Sequence, residues 1–161
     1  MKLTLVAALS QNNVIGKAND LPWYIPEDLK HFKEVTIGKT VLMGKNTFES
    51  ILARLKKPLP GRTSVVITRQ TDFQAPDGVL VFHSIEEAMA GLKDTPEVMV
   101  AGGGQIFSQL IDKADKLILT DVHKDVDGDV FFPKVDKAIW KETAREDHLP
   151  EFSFVEYERI N

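Results

Sequence analysis

Asp28 is the acid in this sequence with the most chemistry open to it. It lies in Leu21-Pro22-Trp23-Tyr24-Ile25-Pro26-Glu27-Asp28-Leu29-Lys30-His31-Phe32-Lys33, which reads as a loop feeding a helix. Pro26 suits the first helical position, where its missing N–H would have had no intrahelical partner. Glu27 and Asp28 follow in the first turn, where the helix dipole favours negative charge. A helical wheel at about 100° per residue separates the two acids. Ile25, Leu29, Phe32 and Val35 fall on the arc of Asp28, whereas Glu27, Lys30, Lys33 and Glu34 fall on the opposite side. An ionised carboxylate on an apolar arc is costly unless donors meet it. A cationic or amide-rich ligand would supply such donors; a capping or core-paired Asp is the alternative reading of the same residue.

A second group of residues gathers at strand ends. Gly44-Lys45-Asn46-Thr47 lies between an apolar strand and a helix start, Thr68-Arg69 ends another strand, and Gly102-Gly103-Gly104 leads from a third into a helix. Open parallel sheets bind ligands at the carboxyl ends of their strands, and helix N-termini hold phosphate through free N–H groups. Lys45 and Arg69 add positive charge at that edge. Together these features suggest a phosphorylated, dinucleotide-sized ligand, although no GxGxxG or Walker A pattern is present.

The elements that must position these groups alternate. Leu3 to Leu9 is near-continuously apolar, as in a strand buried on both faces. Ser10 to Tyr24 is a long loop of lid-like length. After the Asp28 helix come a strand at Thr40–Met43, a helix capped by Asn46 with Glu49 completing a capping box, and strands at Ser64–Thr68 and Val79–Phe82. A short helix opens at Ser84, followed by a strand at Val98–Ala101, a helix from Gln105 to about Ile111, and a strand at Leu117–Thr120. Two strand-like runs, Ile139–Ala144 and Phe152–Arg159, close the chain as a hairpin. The pattern predicts an α/β fold: a single domain, 1–161, with a mostly parallel sheet of about eight strands, an antiparallel C-terminal edge and helices on both faces.

The chain has 161 residues, 43% of them hydrophobic, which is enough for a globular domain with a substantial core. A net charge of −4 with no long basic run argues against nucleic-acid binding. The absence of cysteine excludes disulfides, thiolate metal sites and a Cys nucleophile. The four His residues have no zinc spacing, and the Asp125-Val126-Asp127-Gly128-Asp129 loop lacks the glycine and glutamate positions of a calcium loop, so no metal is expected. The N-terminus lacks a cleavage pattern and no membrane span is foreseen; the expectation is a cytoplasmic protein.

Taken in order along the chain, the motifs resemble those of the bacterial dihydrofolate reductases. They are Val6-Ala7-Ala8, Val14-Ile15-Gly16, Leu21-Pro22-Trp23, Pro26 to Lys33, Met43-Gly44-Lys45-Asn46-Thr47-Phe48-Glu49-Ser50, Pro58-Leu59-Pro60-Gly61-Arg62, Gly102-Gly103-Gly104, and Gly128-Asp129 with Phe132-Pro133. The ordered set is far more specific than any one member. The resemblance implies reduction of 7,8-dihydrofolate to tetrahydrofolate with NADPH, in service of one-carbon metabolism, and binding of antifolate inhibitors.

By that resemblance Asp28 is the carboxylate of the pterin pocket, Thr120 supports it, Trp23 holds a water, and Leu21 belongs with them on the lid. Val6, Ala7 and Ala101 would present backbone groups to the ligands. Leu29, Phe32, Ile51 and Leu59 would line the pterin and benzoyl walls, and Arg62 would clamp the glutamate α-carboxylate. On the cofactor side the implied residues are Ala8, Ile15 and Gly16, then Gly44, Lys45, Asn46 and Thr47. Thr68 and Arg69 join Lys45 at the 2′-phosphate. Ala101, Gly102, Gly103, Gly104, Gln105, Ile106 and Phe107 complete the set, with a cis bond joining Gly102 and Gly103. Residues 10–24 would be a mobile lid, and Asp129 an acid that bonds its closed form. Two other readings share part of this pattern: a reductase of a ribosylated pyrimidine on the same fold, and a folate- or nucleotide-binding module without turnover.

Overall fold

The computed structural model describes residues 1–16 and 23–160. Its centre is an eight-stranded sheet with helices on both faces, as the alternation of strands and helices predicts. In chain order the elements are β1 (Lys2–Ser10), β2 (Val14–Gly16), α1 (Pro26–Thr36), β3 (Thr40–Gly44), α2 (Lys45–Leu55), β4 (Thr63–Ile67), β5 (Leu80–Phe82) and α3 (Ile85–Gly91). There follow β6 (Glu97–Val100), α4 (Gly104–Leu110), a 3₁₀ turn (Ile111–Lys113), β7 (Lys116–Val122), β8 (Val130–Phe131), β9 (Trp140–His148) and β10 (Phe152–Arg159).

The strand order is β5-β4-β3-β6-β1-β7-β10-β9. All neighbours from β5 through β7 are parallel, and β10 pairs antiparallel with both β7 and β9. Side chains alternate across the sheet and build two cores. On one face Phe32 and Val35 of α1 and Phe48 and Ile51 of α2 pack with Val6, Val41, Met43, Val66, Met99 and Ile118. On the other, Ile85 and Ala88 of α3 and Ile106, Phe107 and Leu110 of α4 pack with Leu5, Leu42, Val100 and Leu119.

Three expectations need correction. The segment from Ser10 to Tyr24 is not wholly loop: Val14–Gly16 forms β2 and pairs antiparallel with β8, with a register irregularity between Val14 and Gly16. Asn46 does not cap α2. The helix starts at Lys45, two residues before an Asn46 cap would place it, with Gly44 as N-cap (φ −78°, ψ 165°) and no side-chain cap, and Asn46 is exposed within the first turn. Glu49 instead lies 3.8 Å from Lys45, an i,i+4 pair. Leu55, whose spacing from Phe48, Ile51 and Leu52 predicts a place on the apolar side of α2, is exposed at the last turn. At Ser84 the reading is sound, since its side chain accepts from the Glu87 N–H.

The C-terminal hairpin turns at a cis Leu149–Pro150 bond and is tied to the end of β7 by side chains. Buried Ser153 donates from Oγ to Asp147 Oδ1 at 2.6 Å, and the same Oγ lies 3.0 Å from His123 Nε2. Removing this hydroxyl gives up the bond while exposed Asp147 stays solvated, and a typical hydrogen bond contributes about 0.5–1.5 kcal/mol. Ser153→Ala is therefore expected to lower Tm by roughly 2–6 °C in a thermal melt. An unchanged Tm would show that the strand ladder alone holds the hairpin.

Candidate active site

Glu27, Lys30, Lys33 and Glu34 are exposed, whereas Asp28, Leu29, Phe32 and Val35 are half-buried against the sheet. α1 begins at Pro26 with no side-chain cap, so the two acids of the first turn offset its free N–H groups. Thr120, buried on β7 opposite Ala8 of β1, donates from Oγ1 to Asp28 Oδ1 at 2.6 Å. Among the described residues it is the one side chain that donates to this carboxylate. Burial pushes the Asp28 carboxyl above its ordinary value of 3.8, opposed by the Thr120 bond and by the charge of His31. A half-buried carboxylate with a single protein donor has acceptor capacity left for a ligand.

The other residues expected at this pocket divide by face. Val6 in the middle of β1, Phe32 on α1, Ile51 on α2, and Leu59 and Ala101 outside the helices and strands all belong to the core on the Asp28 face. Ala7 points to the opposite face, so only its backbone is at this edge. Trp23 packs with Ile25, Val122, Phe152 and Phe154, and its indole Nε1 is buried without a hydrogen-bond partner among the described residues. Leu21 lies outside the described residues.

Arg62 is half-buried and braced. Its Nε donates to the Pro60 carbonyl at 3.0 Å and one terminal nitrogen to Thr36 Oγ1 at 3.2 Å. Burial draws the guanidinium below its usual value, a cost that a carboxylate partner would relieve. Thr36, which holds Arg62 in place, was not foreseen. It lies 26 residues away, and nothing in its local sequence marks it.

At the second group of residues, two helix starts are sewn together. The Gly44 N–H at the start of α2 donates to the Gly102 carbonyl at 2.8 Å, and the Ala101 N–H donates to the Leu42 carbonyl at 2.9 Å. The N-caps of α2 and α4, Gly44 and Gly103, both lack a side-chain cap. The first-turn N–H groups of Lys45, Asn46 and Thr47, and of Gly104, Gln105 and Ile106, therefore lie without side-chain caps along one edge. A Cβ built on Gly103 would lie 3.6 Å from Thr47 Oγ1, which places the two starts face to face. The Gly102–Gly103 bond is cis. Gly104 admits a close approach: a Cβ there would fall 2.6 Å from Val130 of β8 and 4.0 Å from Ile15 of β2. The β2–β8 ribbon thus lays Ile15 over the start of α4, with Gly16 following it on β2, and Phe107 lies beneath in the core.

At the end of β4, buried Thr68 accepts from the Gln70 N–H at 3.1 Å, and Arg69 is exposed beside it. His83 Nδ1 lies 2.9 Å from the Thr68 carbonyl and fixes this turn, a contact with no sequence signal. Paired, uncapped helix starts, a glycine lining and flanking cations form a donor set suited to a dinucleotide pyrophosphate with an added phosphate.

A family model described as dihydrofolate reductase matches residues 2–159. The chain belongs to the dihydrofolate reductase family. Among its relatives, dihydrofolate reductase type 3 of Salmonella typhimurium is 46% identical over 148 residues, covering 92% of this chain and 88% of the relative. The dihydrofolate reductase of Haemophilus influenzae is 45% identical over 141 residues, covering 88% of this chain and 84% of its own. In structure, the dihydrofolate reductase from Enterococcus faecalis complexed with NADP(H) and RAB-propyl superposes with a TM-score of 0.87 at 38% identity, covering 99% of this chain and 97% of that one. Among the described residues, no cluster of His, Cys, Asp and Glu could hold a metal ion, and no helix is long and apolar enough to cross a membrane.

Proposed function

We infer that this chain is a dihydrofolate reductase that reduces 7,8-dihydrofolate to 5,6,7,8-tetrahydrofolate with NADPH, and that Asp28 is the acid on which the substrate turns. The observation that carries the assignment of Asp28 is its half-buried carboxylate with one protein donor, Thr120. The pterin 2-amino group and N3–H supply the remaining donors, in charge-assisted bonds. These bonds orient the ring, and the negative charge favours the protonated pterin that receives hydride. Trp23 Nε1 and Thr120 hold ordered water beside the carboxylate. Leu29, Phe32, Ile51 and Leu59 enclose the pterin and benzoyl rings, Val6, Ala7 and Ala101 present backbone groups, and Arg62 pairs with the glutamate α-carboxylate through its planar fork.

The bound nicotinamide supplies the hydride. The uncapped starts of α2 and α4, Gly44 to Thr47 and Gly102 to Phe107, receive the pyrophosphate. Ala8, Ile15 and Gly16 border the nicotinamide side. Lys45, the Thr68 hydroxyl and Arg69 receive the 2′-phosphate. The segment 10–24, with Leu21 on it and Asp129 as its anchor, closes over the site and excludes water. The same reading takes the chain as one catalytic domain, 1–161, working as a cytoplasmic monomer, with antifolates competing for the Asp28 pocket.

The test is the fall of NADPH absorbance with 7,8-dihydrofolate as acceptor, repeated with NADH and with Arg69→Ala. We expect rapid oxidation of NADPH and a much slower rate with NADH. Arg69→Ala is expected to raise KM for NADPH about tenfold, the loss of about 1.4 kcal/mol, while KM for NADH stays put. Binding of both ligands without turnover would overturn the enzyme reading, and failure to bind folate would favour a ribosylated-pyrimidine reductase. Equal changes for NADPH and NADH would remove Arg69 from the 2′-phosphate site.

A further inference from the structure

We propose that His31 is a positioning residue for Asp28: seated on the face of Phe154, one helical turn from the carboxylate, its imidazole holds Asp28 in the ionised form that binds pterin. The proposal rests on the reading of Asp28 as the pterin-binding acid.

Four contacts close a circuit. His31 follows Asp28 by three residues on α1, which places the two side chains on neighbouring turns. The His31 ring stacks on Phe154 of β10 with centroids 3.9 Å apart and planes at 16°. Phe154 is the cross-strand partner of Thr120 on β7. Thr120 in turn donates to Asp28 at 2.6 Å. The helix spacing, the ring stack, the strand ladder and the hydrogen bond therefore fix the imidazole and the carboxylate relative to one another.

The imidazole is a poor choice if its task is only to fill space. His31 Nε2 is buried and has no hydrogen-bond partner among the described residues. A phenyl ring in the same stack would bury no polar atom. An imidazole kept at that cost stands on the π-face of Phe154, one helical turn from the Asp28 carboxylate. The charge of His31 acts on Asp28 in the direction opposite to burial, toward the carboxylate.

The surrounding charges leave Asp28 as the partner. On the same helix, Glu27 and Glu34 lie within one turn of His31, but both are exposed and screened by water. β7 presents Ile118, Thr120 and Val122 on this face, none of them charged. On β10, Glu156 is taken up by Lys116 at 2.8 Å. On β9, Glu146 lies 2.7 Å from His148 Nε2, and the His148 ring meets Phe154 edge-on at 5.1 Å.

The direct measurement is the titration of the Asp28 Cγ carbon by NMR in ligand-free protein labelled with ¹³C-aspartate, its signal assigned with Asp28→Asn. His31→Phe keeps the stack and removes the charge, and His31→Gln keeps a polar group and removes the charge. In both variants the Asp28 midpoint is expected to move up by about 0.5–1 pH unit. The acid limb of KM for 7,8-dihydrofolate moves with it, while kcat at neutral pH changes less than about threefold. A wild-type midpoint in both variants would overturn the proposal and leave His31 as packing. A wild-type midpoint in His31→Gln alone would overturn the role of charge. The NMR midpoint needs no turnover, so failure of the reductase reading would show separately, as a wild-type protein that does not oxidise NADPH.

Discussion

Replacing Asp28 with Asn is expected to lower kcat/KM for 7,8-dihydrofolate on the order of 10²–10³-fold at neutral pH, and at the same time to raise the thermal stability of the ligand-free protein. The two effects have one cause. Asn is nearly isosteric, and its amide oxygen still accepts from Thr120 Oγ1, so the 2.6 Å contact is kept and only the charge is lost. Without the charge, the pterin amino and ring N–H groups meet a weaker acceptor and the protonated ring loses its counter-charge. The stability change follows from burial, which holds the folded-state carboxyl above its ordinary 3.8. Between 3.8 and that raised value the folded chain binds more protons than the unfolded chain, so stability falls as pH rises through this window. At neutral pH the wild type bears the full desolvation cost, and Asn has no charge to desolvate. The Tm advantage of Asp28→Asn should thus be largest above the window and vanish below it. Stopped-flow turnover and melts across pH check both arms. Retained activity would remove Asp28 from the chemistry, and a pH-independent Tm difference would show that packing, not charge, separates the variants.

The same acid shows how far a sequence carries. The helix wheel placed Asp28 on the apolar arc because helical periodicity is local, and the half-burial of Asp28 beside the exposed Glu27 follows from it. Its donor Thr120 is 92 residues away, and the bond exists because β7 lies beside β1 in the sheet. Strand order is a tertiary outcome, and the resemblance to a family supplied the partner where periodicity could not. The cofactor edge divides in the same way. Each glycine-bearing strand end was legible singly, but their union through the Gly44–Gly102 hydrogen bond depends on β3 lying next to β6. The β2–β8 ribbon was missed because strands of three and two residues are too short to show a period. The Asn46 cap fails because a capping-box pattern does not exclude a helix that starts two residues earlier, on an extended glycine. The contacts that brace Arg62 and Thr68, from Thr36 and His83, join residues 26 and 15 apart and left no local trace.

Gly102→Ala is expected to do the largest damage at the cofactor edge. Gly102 has φ +111°, a conformation that residues with a Cβ rarely adopt, at a cost of about 1–3 kcal/mol. A Cβ there would also fall 3.0 and 3.2 Å from two carbons of the Phe107 ring, which is buried in the core of α4. Forcing that ring to shift costs about a further 1–3 kcal/mol. A melt should therefore show Tm lower by roughly 5–15 °C. Because Gly102 accepts from the Gly44 N–H and Phe107 closes the first turn of α4 through its N–H to the Gly103 carbonyl at 3.0 Å, any shift passes to both helix starts. NADPH affinity should accordingly weaken more than folate affinity, which depends on Asp28 and Arg62. A double-mutant cycle with Phe107→Leu separates the two costs. Relief of the clash appears as a favourable coupling between the substitutions, and the part that remains is the dihedral cost. A Tm equal to wild type in Gly102→Ala would show that the backbone relaxes to a negative φ without loss, and a coupling of zero would show that Phe107 takes no part.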